Sequence, residues 1–167
     1  RRILPLLTGG GQESGQRSGT ENLPAIAAMA KAVRITLDQA RQKIEYLAEM
    51  KQTLRNQLDS YEHVRIFSPA QGAPHILCFG IEGIRGEVLV HALEDREIYV
   101  STTSACSSKK KTESSTLHAM NVDSRLSESA VRVSLSETNT LEEMEQFIGE
   151  FKEIYTHFQA ILMNKGD

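Results

Sequence analysis

From residue 24 to residue 58 apolar side chains recur mostly at three- and four-residue steps: Val33, Leu37, Ala40, Ile44, Leu47, Leu54 and Leu58. That is the period of one face of an α-helix. Asp38, Arg41, Lys43, Glu45, Glu49, Lys51 and Arg55 fall between them and suit a solvated face. Asn22 is placed to cap this helix, and Pro24 suits its first turn. At ~1.5 Å per residue one unbroken helix would reach roughly 50 Å. That is long for a chain of 167 residues, so a bend or break is expected. The apolar seam covers too few heptads for a coiled coil.

Beyond Asp59 the period shortens. Val64-Arg65-Ile66-Phe67 and His75-Ile76-Leu77-Cys78-Phe79-Gly80-Ile81 are β-rich runs bounded by Pro and Gly. Residues 86–94 read as a helix with Val88, Leu89, Ala92 and Leu93 inward, and Ile98-Tyr99-Val100 as a short strand. Val131-Arg132-Val133-Ser134-Leu135 alternates apolar with polar, as a half-buried strand does. Thr140-Leu141-Glu142-Glu143 is a capping box. It opens a last helix with Leu141, Met144, Ile148, Phe151, Ile154, Tyr155, Phe158 and Leu162 on one stripe. The expected fold is α/β in the broad sense: an α+β domain with a small sheet covered by helices.

Composition narrows the function classes. With 40% hydrophobic and 25% charged residues the chain can bury a core. It has no apolar run of about 18 residues, as a membrane span requires. A net charge of −3 speaks against a dedicated nucleic-acid binder. Cys78 and Cys106 make no disulfide framework, and with five scattered histidines they make no zinc spacing. No metal site is expected. No signal-peptide pattern opens the chain, so a reducing, cytoplasmic setting is expected. The start at Arg1, without a methionine, suggests the interior of a longer protein.

Two polar segments carry chemistry. Six of the eight residues from 101 to 108 are Ser or Thr, and they surround Cys106 with no large side chain. Lys109, Lys110 and Lys111 follow, and nearby positive charge favours the reactive thiolate. A small, exposed, mobile loop would suit a thiol that carries a reactive atom between two places. The bland alternative is a surface loop with a harmless cysteine. Cys78, between Leu77 and Phe79, is expected to be inert packing. The second segment runs through residues 8–22, rich in Gly, Ser and Thr, into the first helix. Free N–H groups and the helix dipole favour an anion there, with Arg17, Ser18 and Thr20 adding donors. It lacks the Gly-Lys-Ser/Thr ending of a Walker loop. Arg132, on its alternating strand, suits a bidentate grip on a carboxylate, with a surface ion pair as the plainer reading.

Three strings, in one order and spacing, resemble the pyridoxal-phosphate (PLP) cysteine desulfurases of the NifS/IscS-like group. They are Gly9-Gly10-Gly11-Gln12-Glu13 with Arg17-Ser18-Gly19-Thr20-Glu21-Asn22, then Ser104-Ala105-Cys106-Ser107-Ser108, then Val131-Arg132-Val133-Ser134-Leu135. The resemblance spans residues 8–155 and implies the class V aminotransferase fold (fold type I). By it, residues 1–22 end a large domain with the cofactor loop, 23–58 form a linking helix, and 59–167 form the small C-terminal domain.

The resemblance also implies an activity. L-Cysteine becomes L-alanine with PLP as electron sink, and the sulfur stays on Cys106 as a persulfide. Arg132 would hold the substrate carboxylate. Thr20 would contact the PLP phosphate across a homodimer interface, and Arg17, Ser18 and Gly19 would shape that loop. The sulfur would pass to an acceptor protein, either a tRNA-thiolation enzyme or an iron–sulfur scaffold. The group's Schiff-base lysine lies in a Ser-x-His-Lys-like motif upstream of the glycine loop, and no His-Lys pair occurs here. The chain alone is therefore expected to be inactive. Ser136-Glu137-Thr138-Asn139 departs from the Gly-Arg-Phe-like run of many members. Two other readings remain at this point: a related class V enzyme such as a selenocysteine lyase-like protein, and a non-catalytic sulfur-carrier or interaction module.

Overall fold

The computed structural model describes residues 4–38, 40–102 and 114–163. They divide into two compact units, Arg1–Arg41 and Gln42–Asp167. In the first unit the polar loop leads into helix α1, Leu23–Asp38. Asn22 caps it, its Oδ1 accepting the Ala25 N–H at 3.2 Å. Helix α2, Ala40–Asp59, follows. Residue 39, between the two helices where the expected bend or break would fall, lies outside the described residues.

The expected inward stripe fails over its first half. Val33 and Leu37 are 51% and 65% exposed, and no residue of α1 is buried. The first unit holds one long helix and a loop, so α1 has no sheet of its own unit to pack against. Ile44 on α2 is exposed as well, and burial starts one turn later at Leu47.

The second unit is built on a four-stranded antiparallel sheet. Its strands are β1 (Val64–Ile66), β2 (Ile76–Ile81), β3 (Ser101–Thr102) and β4 (Val131–Ser134), in the order β1-β2-β4-β3. Alternation sends Leu77, Phe79 and Ile81 of β2 and Val131 and Val133 of β4 to one face. The second half of α2, α3 (Gly86–Glu94) and α6 (Leu141–Met163) bury that face with Leu54, Leu58, Leu89, Leu93, Phe151 and Ile154. Phe151 packs edge-on to Phe79 at 5.6 Å and to Tyr61 at 5.3 Å between ring centres. On the opposite face Gly80 lies under Ser129, which follows the short helix α5 (Ser124–Glu128). Another short helix, α4 (Ser115–Ala119), precedes α5.

The capping box forms as expected. The Glu143 N–H donates to Thr140 Oγ1 at 3.2 Å, and the Thr140 N–H donates to Glu143 Oε2 at 3.0 Å. Four details differ from the sequence expectations. Lys51 is buried rather than solvated, because its Nζ donates to the carbonyl oxygens of Ala73 at 2.9 Å and Pro69 at 3.5 Å. Val88 and Leu141 point outward, while Phe147 joins the core instead. Residues 98–100 are not a strand. Glu97 takes a left-handed turn (φ 59°) and the Ile98 N–H closes onto the Leu93 carbonyl, so pairing begins only at Ser101. Finally, α4 and α5 were not anticipated, although Ser114 and Asp123 cap them with side-chain oxygens.

Candidate functional site

The glycine-rich loop is held by its own groups. The Gln12 side chain reaches seven residues along to accept the Gly19 N–H at 3.1 Å. The Ser18 N–H donates to the Leu7 carbonyl at 3.2 Å, and Ser18 is buried inside the loop. Gly19 has φ +107°, a backbone state that side-chain-bearing residues rarely adopt. An added Cβ there would sit 3.1 Å from the Arg17 guanidinium. Arg17 bends back to donate to the Thr20 carbonyl at 3.4 Å. Thr20 is exposed, and its hydroxyl has no partner among the described residues. A cation and a free hydroxyl thus stand together just ahead of a helix N-terminus. That donor set fits a phosphate group. Gln12 is the residue whose organising role the sequence did not single out. Its spacing from Gly19 gives no local signal.

The second candidate group lies on the sheet of the second unit, on the face away from the aromatic core. Arg132 is exposed at the middle of β4. The register sets Cys78 of β2 directly opposite it on one side and Ser101 of β3 on the other. Directly opposed residues in an antiparallel sheet share a face, with Cβ atoms about 4.5–5.5 Å apart. Arg132 makes no ion pair and no side-chain hydrogen bond among the described residues, unlike Arg65, which pairs with Glu82 at 2.8 Å, or Arg96, which pairs with Glu150 and Glu153. Cys78 differs from the expected inert packing in its position: it is half-buried beside Arg132, not in the core with Leu77 and Phe79. Burial pushes its thiol up to about 11, against the pull of the Arg132 charge. It is therefore a neutral S–H at ordinary pH.

The loop residues Arg17, Ser18, Gly19 and Thr20 come together in the first unit, and Arg132 stands in the second. Cys106 lies outside the described residues. The turn at Ser136-Glu137-Thr138-Asn139 is fastened to α2: Lys43 pairs with Glu137 at 2.9 Å, and the Tyr46 hydroxyl donates to the Asn139 carbonyl at 2.8 Å. An open groove of about 410 Å³ beside α5 carries Arg85 and Arg125 against Glu82 and Glu128, so its charges balance.

The glycine loop and the arginine strand fall within one known family. Residues 6–147 match the aminotransferase class-V family, and the chain belongs to it. It is 55% identical to a NifS/IcsS protein homolog of Lactobacillus delbrueckii subsp. bulgaricus, over 96% of this chain and 42% of that protein. It is 34% identical to the cysteine desulfurase IscS of Pectobacterium carotovorum subsp. carotovorum, over 88% of this chain and 36% of the relative. Among solved structures it resembles a NifS-like protein with a TM-score of 0.75 and 33% identity, over 93% of this chain and 40% of the other. The chain thus spans about two fifths of the length of these relatives. Members of the family depend on PLP.

Proposed function

We propose that this chain is the part of a cysteine desulfurase that supplies the substrate-carboxylate arginine, a phosphate-binding loop and the sulfur-carrying thiol. The observation that carries the reading is the placement of Arg132. It is an unpaired guanidinium on the strand that pairs with β3, and the chain runs from β3 directly towards Cys106. Cys106 follows Ser101 by five residues in the sequence.

Arg17 and Thr20 would hold the PLP phosphate, with Ser18 and Gly19 setting the loop's shape and Thr20 serving the partner of a homodimer. Bound PLP supplies an electron sink for chemistry at the amino acid. The residues of this chain would contribute the following steps. Arg132 grips the carboxylate of L-cysteine through two parallel hydrogen bonds and fixes its orientation. The Cys106 thiolate, favoured by Lys109, Lys110 and Lys111, attacks the substrate sulfur. An S–S bond forms, and the substrate C–S bond breaks with its electron pair going to carbon. Carbon takes a proton, L-alanine leaves, and Cys106 keeps the persulfide. An acceptor protein then takes the outer sulfur, for tRNA thiolation or for iron–sulfur cluster assembly. No described helix is long and apolar enough to cross a membrane, and the site of action we propose is the cytoplasm. This chain by itself, without a His-Lys pair, is expected to release no alanine.

Replacing Cys106 by Ala in the full-length protein tests the assignment. Sulfur transfer to an acceptor should be lost while the absorbance of bound PLP persists. Full transfer by that variant would overturn the role of Cys106.

A further inference from the structure

The described residues leave Arg132 without an acidic neighbour, and the reason lies in its two cross-strand partners. On a sheet face the side chains directly opposite lie nearest a guanidinium, and long side chains at diagonal positions also reach it, as Glu82 reaches Arg65 across from Gly80. Here the two directly opposite residues, Cys78 on β2 and Ser101 on β3, are small and uncharged, and the diagonal β2 residues Ile76 and Gly80 carry no charge either. Elsewhere in the same unit arginines near glutamates are neutralised, as Arg65 is by Glu82 and Arg96 by Glu150 and Glu153. A carboxylate at either cross-strand position would find the five fixed donors of Arg132 within reach and occupy them.

We propose that Cys78, with Ser101 on the other side of Arg132, is a positioning residue that keeps the Arg132 guanidinium free for the carboxylate of an amino-acid substrate. The inference rests on the reading of Arg132 as the carboxylate holder. The thiol suits the position in two ways. It is small, so the arginine stem can rise beside it. It also stays neutral at ordinary pH, because burial outweighs the pull of Arg132 on its proton. Position 78 would therefore set how strongly the enzyme holds carboxylate-bearing substrates, without touching the reacting sulfur.

The test uses the full-length PLP-bound protein and compares Arg132→Ala, Cys78→Asp and Cys78→Asn with the parent. Cys78→Asp should raise KM for L-cysteine about tenfold or more, the scale of one competing charge-assisted contact, with kcat little changed. The neutral isostere Cys78→Asn should bring KM back towards the parent value. If Cys78→Asn raises KM as much as Cys78→Asp, bulk rather than charge is responsible and the proposal fails. If Arg132→Ala raises KM but Cys78→Asp does not, the proposal fails while the carboxylate reading stands. If neither raises it, the reading of Arg132 fails and takes the proposal with it. Ser101→Asp places the same charge on the other side of Arg132 and gives the same readout should Cys78→Asp not fold.

Discussion

Cys78 and Cys106 are the two thiols of the chain, and the proposed carrier role falls on Cys106. Cys78 has its proton held by burial up to about 11, even with Arg132 beside it. Iodoacetamide should therefore label Cys78 slowly at pH 8, with the rate climbing until the pH nears 11. Peptide mass spectrometry separates it from Cys106. Rapid labelling of Cys78 at pH 8 would contradict its burial. The same shift links to stability. Between about 9 and about 11 the folded chain holds a proton at Cys78 that the unfolded chain releases, so this contribution to stability falls as pH rises. The sequence showed Cys78 in an apolar run, and the run did align with a strand. What it concealed was the face. Leu77 and Phe79 take the core side, and period two sends Cys78 to the side of Arg132. Arg132 itself was legible, because Val131 and Val133 on either side fix its direction. The Gln12–Gly19 contact was not, since a loop seven residues across leaves no periodic trace.

At the scale of elements, the local signals with a chemical mechanism were the legible ones. Asn22 and Thr140 cap the helices that their side chains suggested. Replacing Thr140 by Ala should lower stability by about 1 kcal/mol, read by denaturant unfolding. Glu143, held down by the Asn139 side chain and then by the Thr140 N–H, and Glu137, held down first by Lys43, both lie below the usual carboxylate range. Their contribution to stability is complete above that range. It is lost as pH falls through their depressed values, because the unfolded chain then binds the extra protons. A Glu143→Gln variant should accordingly differ from the parent less at acid pH than at neutral pH, and an undiminished difference would exclude this origin. The strand β2 gives a sharper case. A Cβ on Gly80 would fall on Ser129 Oγ and within 2.9 Å of the Ser129 carbonyl oxygen. Gly80→Ala should cost about 1–3 kcal/mol, and a neutral effect in thermal unfolding would mean that α5 does not press on the sheet. Lys51 shows the limit of pattern reading. Its place on the helical wheel reads as solvent, but the carbonyls of Ala73 and Pro69 draw its ammonium into a loop that no periodicity announces.

For the whole molecule, the sheet-and-helix body was readable because its strands and last helix each carry a clear period. Val64, Leu77, Phe79, Ile81, Val131 and Val133 meet Phe151 and Ile154 in one core. The apolar face of α1 was readable as a helix but not as an exposed one, since periodicity shows which side is apolar and not what covers it. The two units divide the proposed tasks: the first carries the phosphate loop, and the second carries Arg132 and the root of the Cys106 segment. The account as a whole stands on sulfur arriving at Cys106. The direct measurement is to incubate the full-length PLP-bound protein with L-cysteine and map the product by intact and peptide mass spectrometry. The account predicts one added sulfur on Cys106, none on Cys78, and L-alanine released in equal amount. Alanine released with no adduct on Cys106, or no alanine at all, would contradict it.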